Sequence, residues 1–243
     1  MWALGEHRLG CSDARDPDAW SRLIGRERAQ VLWTDPPYGV DYVGKTPKAL
    51  RVAGDASQGL AQLLQEVFAR AGERLAPGAR LYVCHPTGPG AQTFHAAFTG
   101  AGWRHHQSLV WVKDRMVLGH ADYHHRHEGI LYGYVPAPGR WGRGARGWYG
   151  GNAQDSVLQV DRPAASREHP TAKPVELITR CLSNSSKPGD GVVDPFAGSG
   201  STLIASHVLG RRAFAMELDP AYCGVMIDRW EAFTGERAHR LDA

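Results

Sequence analysis

Short apolar runs and stretches of helical period take turns along most of this sequence. "AQVLWT" (Ala29–Thr34) reads as a strand, and "LAQLLQEVFARAGERL" follows with Leu60, Leu63, Leu64, Val67, Phe68 and Ala71 on one helical face. "RLYVCH", "SLVWVK" and "EGILYGYV" are strand-like and "AQTFHAAFTGAG" is helical. The closing third repeats the theme: "PVELITRCLSNS" with Pro174 at a helix start, "GVVD", a helix from Thr202 to Leu209, "RAFAME" and then "PAYCGVMIDRWEAFTG". Such a pattern predicts an α/β fold: a doubly wound, Rossmann-like sheet, mostly parallel with an antiparallel edge. One stretch departs from it. From Pro136 to Gly151, "PAPGRWGRGARGWYGG" has neither period and reads as a long surface loop or insertion.

At 243 residues the chain has room for one large α/β domain with a sizeable core, and one is expected. Its 42% hydrophobic and 22% charged content is that of a globular protein, and no apolar run is long enough to span a bilayer. The start, "MWALGEHRLG", lacks the basic, apolar and small-residue segments of a secretion signal. A soluble cytoplasmic protein with no membrane partner is therefore expected. Cys11, Cys84, Cys181 and Cys223 lie far apart, which suits isolated core thiols in a reducing compartment and argues against a metal site. The formal charge of +3 is unevenly spread. Between Ala101 and Pro170 nine Arg or Lys face six Asp or Glu, and seven of the twelve His fall there too, so the middle segment carries the positive field.

Two turns carry candidate chemistry. "VVDPFAGSGST" (Val192 to Thr202) is a short strand, a turn with Gly198 and Gly200, and an immediate helix. Glycines there let a ligand approach the backbone, and exposed N–H groups at the helix start favour an electron-rich group. No Lys follows Gly200, so this is not a Walker phosphate loop. Glu217 ends the next strand 23 residues after Asp194, close to the spacing at which an acid holds ribose hydroxyls in nucleotide-binding α/β folds. A tight turn plus a surface Glu would explain the glycines alone; strand, turn, helix and spaced acid together point to a ribose-bearing cofactor. The second turn is Asp35-Pro36-Pro37-Tyr38, directly after the "VLWT" strand. In a doubly wound sheet the crevice beyond the strands' carboxyl ends is where ligands bind. The Asp35 carboxylate and Pro36 carbonyl are pure acceptors on a stiffened chain, which suits an amino group. An exocyclic base amine is a poor nucleophile because its lone pair is delocalised, and two acceptors would favour a pyramidal nitrogen aimed at an electrophile. Tyr38 would stack on the extruded base. A plain β-turn with prolines at its corners explains the same four residues equally well on their own.

Asp35-Pro36-Pro37-Tyr38 together with "DPFAGSGST" resembles the amino-group DNA methyltransferases that use S-adenosylmethionine. The order, catalytic motif first, basic segment next and glycine motif last, is similar to the β-group permutation of that family. "HPTAKP" (His169 to Pro174) resembles the family's additional cofactor element. The resemblance implies a single domain over 1–243, with a catalytic segment over 1–135, a target-recognition insertion over 136–168 and a cofactor-binding segment over 169–243. It implies catalytic roles for Asp35, Pro36, Pro37 and Tyr38. It places Asp194, Pro195, Phe196, Gly198, Ser199, Gly200 and Thr202 against the cofactor, Glu217 on its ribose, and Thr171 and Lys173 near its methionine moiety, where Lys173 could pair with the carboxylate. Asp13 of "CSDARD" would touch the cofactor adenine, although Ser12 stands where Gly is usual. Phe196 suits a sulfonium neighbour and equally an ordinary core position.

Within the insertion, Arg140, Trp141, Arg143, Arg146 and Trp148 combine phosphate-seeking cations with stackable rings and are read as DNA-contacting. His120, His124, His125 and His127 match no closed zinc set, and no metal is expected. The implied activity is methyl transfer from S-adenosylmethionine to adenine N6 in double-stranded DNA, since Asp in the first place of the motif is commoner among adenine enzymes. Cytosine N4 stays open. RNA methylation is disfavoured by motif order, and carbon-5 chemistry by the want of a Pro-Cys nucleophile. A DNA-binding module without turnover is the reading from another class. A homodimer, a cognate restriction endonuclease, and a bacterial, archaeal or phage origin complete the expectations.

Overall fold

A computed structural model of the protein describes residues 1–39, 58–117, 122–139, 147–162 and 172–241. Among the described residues ten strands form one sheet in the order β10-β1-β2-β9-β8-β3-β4-β6-β5-β7. They are β1 (Trp2–Leu4), β2 (His7–Cys11), β3 (Ala29–Thr34), β4 (Leu75–His85), β5 (Arg104–Val117), β6 (His125–Tyr134), β7 (Val157–Gln159), β8 (Gly191–Asp194), β9 (Arg212–Glu217) and β10 (His239–Arg240). Only β1 and β6 run against the others. The sheet is thus mostly parallel, with one reversed strand toward each side.

Helices cover both faces. On one, α1 (Pro17–Ile24), α2 (Leu60–Gly72) and α3 (Ala91–Gly100) pack Trp20, Leu64, Phe68 and Phe94 against Leu32, Leu81, Val83 and Leu131. On the other, α4 (Val175–Ser185) sets Leu177, Ile178 and Leu182 on Val31, Trp33, Tyr82 and Trp111, while α5 (Ser201–Val208) and α6 (Pro220–Thr234) close over Leu4, Leu9, Ala213 and Ala215. The chain leaves β3 toward β4 and leaves β8 toward β9, in opposite directions from two adjacent strands. Because crossovers are right-handed, those two excursions must take opposite faces, and the sheet opens a crevice between the carboxyl ends of β3 and β8.

Local chemistry sets several ends. Asp16 caps α1, accepting from the Asp18 N–H at 2.9 Å, with Pro17 in the first turn; Asp219 and Pro220 repeat the device on α6, accepting from the Ala221 N–H at 2.8 Å. The elements β1, β2, α1, β7 and β10 lie outside the runs singled out in the sequence, because short strands and an eight-residue helix carry too few periods to register. β7 also qualifies the insertion. Leu158 and Val160 of that segment are buried, and the Trp111 indole N–H donates to the Val160 carbonyl at 2.7 Å, so some of it completes the sheet.

Candidate active site

Parallel pairing of Val31 with Val192 and Leu32 with Val193 brings the ends of β3 and β8 level. The two expected turns meet there: the Thr34 hydroxyl donates to Asp194 Oδ1 at 2.9 Å. Asp194 also accepts from the Thr202 hydroxyl at 2.6 Å and the Phe196 N–H at 3.1 Å, so its carboxylate organises the turn from inside. Burial pushes that carboxyl up to about 7, against the pull of Thr202, the Phe196 N–H and Thr34. Gly198 (φ +52) and Gly200 (φ +80) adopt left-handed backbone, and a Cβ on Gly200 would lie 2.4 Å from Met226 Cγ. Pro195 and Ser199 are buried, and Ser199 turns toward α6, where Arg229 donates to its carbonyl at 3.0 Å.

The acid after β9 sits beside this turn. Glu217 Oε2 accepts from the Gly198 N–H at 2.8 Å and Oε1 from the Asp219 N–H at 2.9 Å. The Ser12 N–H donates to the Glu217 carbonyl at 3.0 Å, which carries the "CSDARD" turn to the same corner. Asp13 itself is paired with Arg15, its Oδ2 2.6 Å from Nη2, and the Arg15 bonds hold its carboxyl below the usual range.

On the β3 side the Asp35 carboxylate is partly buried and already partnered. Lys173 Nζ lies 2.5 Å from Oδ2, and the Tyr38 hydroxyl donates to Oδ1 at 3.1 Å. Lys173 also reaches Glu128 Oε2 at 3.1 Å, and Lys113 reaches Glu128 Oε1 at 2.6 Å. The Lys173 and Lys113 side chains are only 9% and 8% exposed, so these charges depend on one another rather than on water. Burial raises the Asp35 carboxyl, Lys173 pulls it back, and Glu128 pushes it up again, leaving it above the ordinary carboxylate value. Burial likewise works to raise Glu128, but Lys173 and Lys113 overcome it and hold that carboxyl at about 2. The two carboxylates outweigh the burial of Lys173 and keep its ammonium charged. Burial, reinforced by Asp35 and Glu128, raises Tyr38 well above the usual phenol value, so it stays a donor.

Lys173 therefore faces Asp35 and Glu128. Tyr38 and Phe196 both pack on the same core cluster, the Tyr38 ring meeting Phe94 edge-on at 5.8 Å. Sequence patterning passed over Lys113 and gave Glu128 no role; the signal open to it was the acid and base at the facing ends of two adjoining strand-like runs. Thr171, Arg140, Trp141, Arg143 and Arg146 lie outside the described residues, as does His120. Trp148 is described, and it stands apart from the cluster. Its indole N–H donates to the Gly151 carbonyl at 2.9 Å and its ring lies 6.3 Å from Tyr132, which is roughly 13 Å along β6 from Glu128, toward the opposite end of the sheet.

Residues 145–228 match the DNA methylase family profile. The chain is similar to the type II methyltransferase M2.DpnII of Streptococcus pneumoniae, 40% identical over 65 residues, which cover 27% of this chain and 24% of that protein. The chain matches about a quarter of the length of such curated relatives. In fold, it resembles the crystal structure of the M1.HpyAVI–SAM complex with a TM-score of 0.66 at 19% identity, over 91% of this chain and 98% of that one. It also resembles the PvuII cytosine-N4-specific DNA methyltransferase with a TM-score of 0.69 at 13% identity, over 95% and 91% of the two chains. Residues 145–228 thus lie within an α/β fold that the chain shares with those two structures.

Proposed function

We propose that the protein is a DNA amino-methyltransferase that uses S-adenosylmethionine, and that its target is the N6 amine of an adenine extruded from duplex DNA. The observation that carries the reading is the juxtaposition of Asp35 with the glycine turn across adjacent strands, through the Thr34–Asp194 bond of 2.9 Å. The residues fit the cofactor. Glu217 presents a carboxylate suited to vicinal hydroxyls, and two left-handed glycines leave the turn open to close backbone approach. Bound there, the cofactor supplies a methyl group on an electrophilic sulfonium. Asp35 accepts the hydrogens of the target amine, orients its lone pair, and takes the proton that the amine sheds on methylation. Tyr38 flanks the base.

The DNA is met at the same end of the sheet. Beyond Lys113 and Glu128, β5 and β6 continue outward with exposed Arg115, Met116 and Val117 on one strand and His125, Arg126 and His127 on the other, and Tyr123 beside them is 91% exposed. Cations and an aromatic ring bordering the crevice suit phosphates and unstacked bases. Trp148, far from that border, is a weaker candidate for the same task. Cytosine N4 is the second reading, favoured by the likeness to a cytosine-N4-specific enzyme.

Tritiated methyl from S-adenosylmethionine should pass to unmodified duplex DNA, and digestion to nucleosides should give N6-methyladenine. Asp35→Ala should abolish transfer while leaving cofactor affinity within about threefold. Label in N4-methylcytosine would replace adenine with the second reading, and cofactor binding with no transfer to any DNA would favour a module without turnover.

A further inference from the structure

Glu128 lies in the middle of the charged cluster, yet neither of the two turns accounts for it. Tyr38 has one hydroxyl hydrogen and two acceptors in reach, Asp35 Oδ1 at 3.1 Å and Glu128 Oε2 at 3.0 Å, so it donates to one at a time. Rotation about the phenol C–O bond moves that hydrogen between them without moving a heavy atom. Lys173 spans the same two carboxylates, at 2.5 Å and 3.1 Å. Each oxygen of Asp35 thus has a donor in reach that competes with the target amine, which the proposed reaction must bind there.

We propose that Glu128 is a positioning residue for methyl transfer, acting as the alternative acceptor that lets Tyr38 and Lys173 release Asp35 when the amine arrives. The inference rests on the role proposed above for Asp35. Lys113 fixes Glu128 in place at 2.6 Å and itself lies 5.1 Å from the centre of the Trp111 ring, so the acceptor is held by β5 while Asp35 sits in the turn after β3. Without the Glu128 charge, Asp35 is the single carboxylate within reach of Lys173 among the described residues, and a buried ammonium binds its last counter-charge more tightly. The Tyr38 hydrogen would stay on Oδ1 as well, in competition with the incoming amine.

The test uses amplified, unmodified genomic DNA and tritiated S-adenosylmethionine. Glu128→Gln should lower kcat about 10- to 100-fold, as expected for a misaligned acceptor, with KM for DNA, cofactor affinity and DNA affinity each within about threefold of wild type. In a Tyr38→Phe background the same substitution should cost less than it does in the wild type, because the competition from Tyr38 is gone while that from Lys173 stays. Should Glu128→Gln fail to fold by thermal unfolding, Glu128→Gln with Lys113→Met, which removes one charge of each sign, carries the same expectation. Unchanged kcat, a loss confined to KM or cofactor affinity, or a cost that multiplies with that of Tyr38→Phe would overturn the inference alone. No transfer by the wild type would overturn the proposed reaction and this inference with it.

Discussion

The dipeptide Asp-Pro occurs at 16–17, 35–36, 194–195 and 219–220, and its surroundings give it different work. Asp16 and Asp219 cap helices; Asp194 is buried and bonded to Thr34, Thr202 and the Phe196 N–H; Asp35 shares Lys173 with Glu128. Lys173 is the residue on which the acidity of Asp35 turns. Burial raises the Asp35 carboxyl and Lys173 opposes it, so removing the ammonium sends that pKa higher still. Since Asp35 accepts an amine only when ionised, Lys173→Met should move the acid limb of the kcat profile to higher pH. Its loss of activity relative to wild type should be greater near pH 6 than near pH 8, and an equal loss at both would mean that Lys173 does not set the ionisation of Asp35. The family resemblance gave roles to Asp35 and Lys173, but not as partners. They are 138 residues apart in sequence, and local periodicity carries no distance across such a separation.

At the scale of elements, the α5–α6 contact depends on Gly200. With φ +80 and Met226 Cγ 2.4 Å from where a Cβ would sit, Gly200→Ala should destabilise the fold by about 2 kcal/mol and lower Tm by roughly 4–8 °C. Calorimetry would check it, and cofactor affinity should fall with it because the turn would be displaced. The β5–β6 pair makes a different demand. Arg115→Ala with Arg126→Ala should weaken DNA binding in proportion across sequences and flatten the dependence of log affinity on log salt by about 2. An unchanged slope would move the DNA interface elsewhere. The longer helices α2, α4 and α6 were legible from their periodicity, and the Asp-Pro pairs at 16–17 and 219–220 are signals that could have marked the starts of α1 and α6. The short strands β1, β7 and β10 were not, since two or three residues become a strand only when a neighbour supplies the hydrogen bonds.

Across the whole molecule, stability is tied to pH through a histidine far from the crevice. His7 Nδ1 accepts the Ala213 N–H at 3.0 Å and Nε2 lies 3.3 Å from His207 Nδ1. Burial first, and His207 second, lower its pKa from 6.5 to about 4. A depressed folded-state pKa means that the neutral ring stabilises fully above 6.5 and that this contribution is lost as the pH falls toward 4, up to about 3 kcal/mol in all. The buried carboxyls of Asp194 and Glu217 are shifted upward and act in the opposite sense, so the wild type must be compared with a variant. Denaturant unfolding at pH 7 and pH 5 should show a shallower loss of stability for His7→Gln, and parallel losses would exclude His7 as the origin.

The sequence by itself determined the class of fold, the order of its two motifs and the chemical types at the crevice, because apolar period, glycine turns and acid spacing are local properties. The tertiary structure decided which of those residues meet. Opposite departures of the chain from β3 and β8 opened the crevice between the two turns, and antiparallel pairing of β5 with β6 put Lys113 and Glu128 beneath Asp35. It also carried Trp148 to the far end of the sheet. Strand order and register are set by packing the two faces of the sheet at once, and that is a property of the whole chain rather than of any segment.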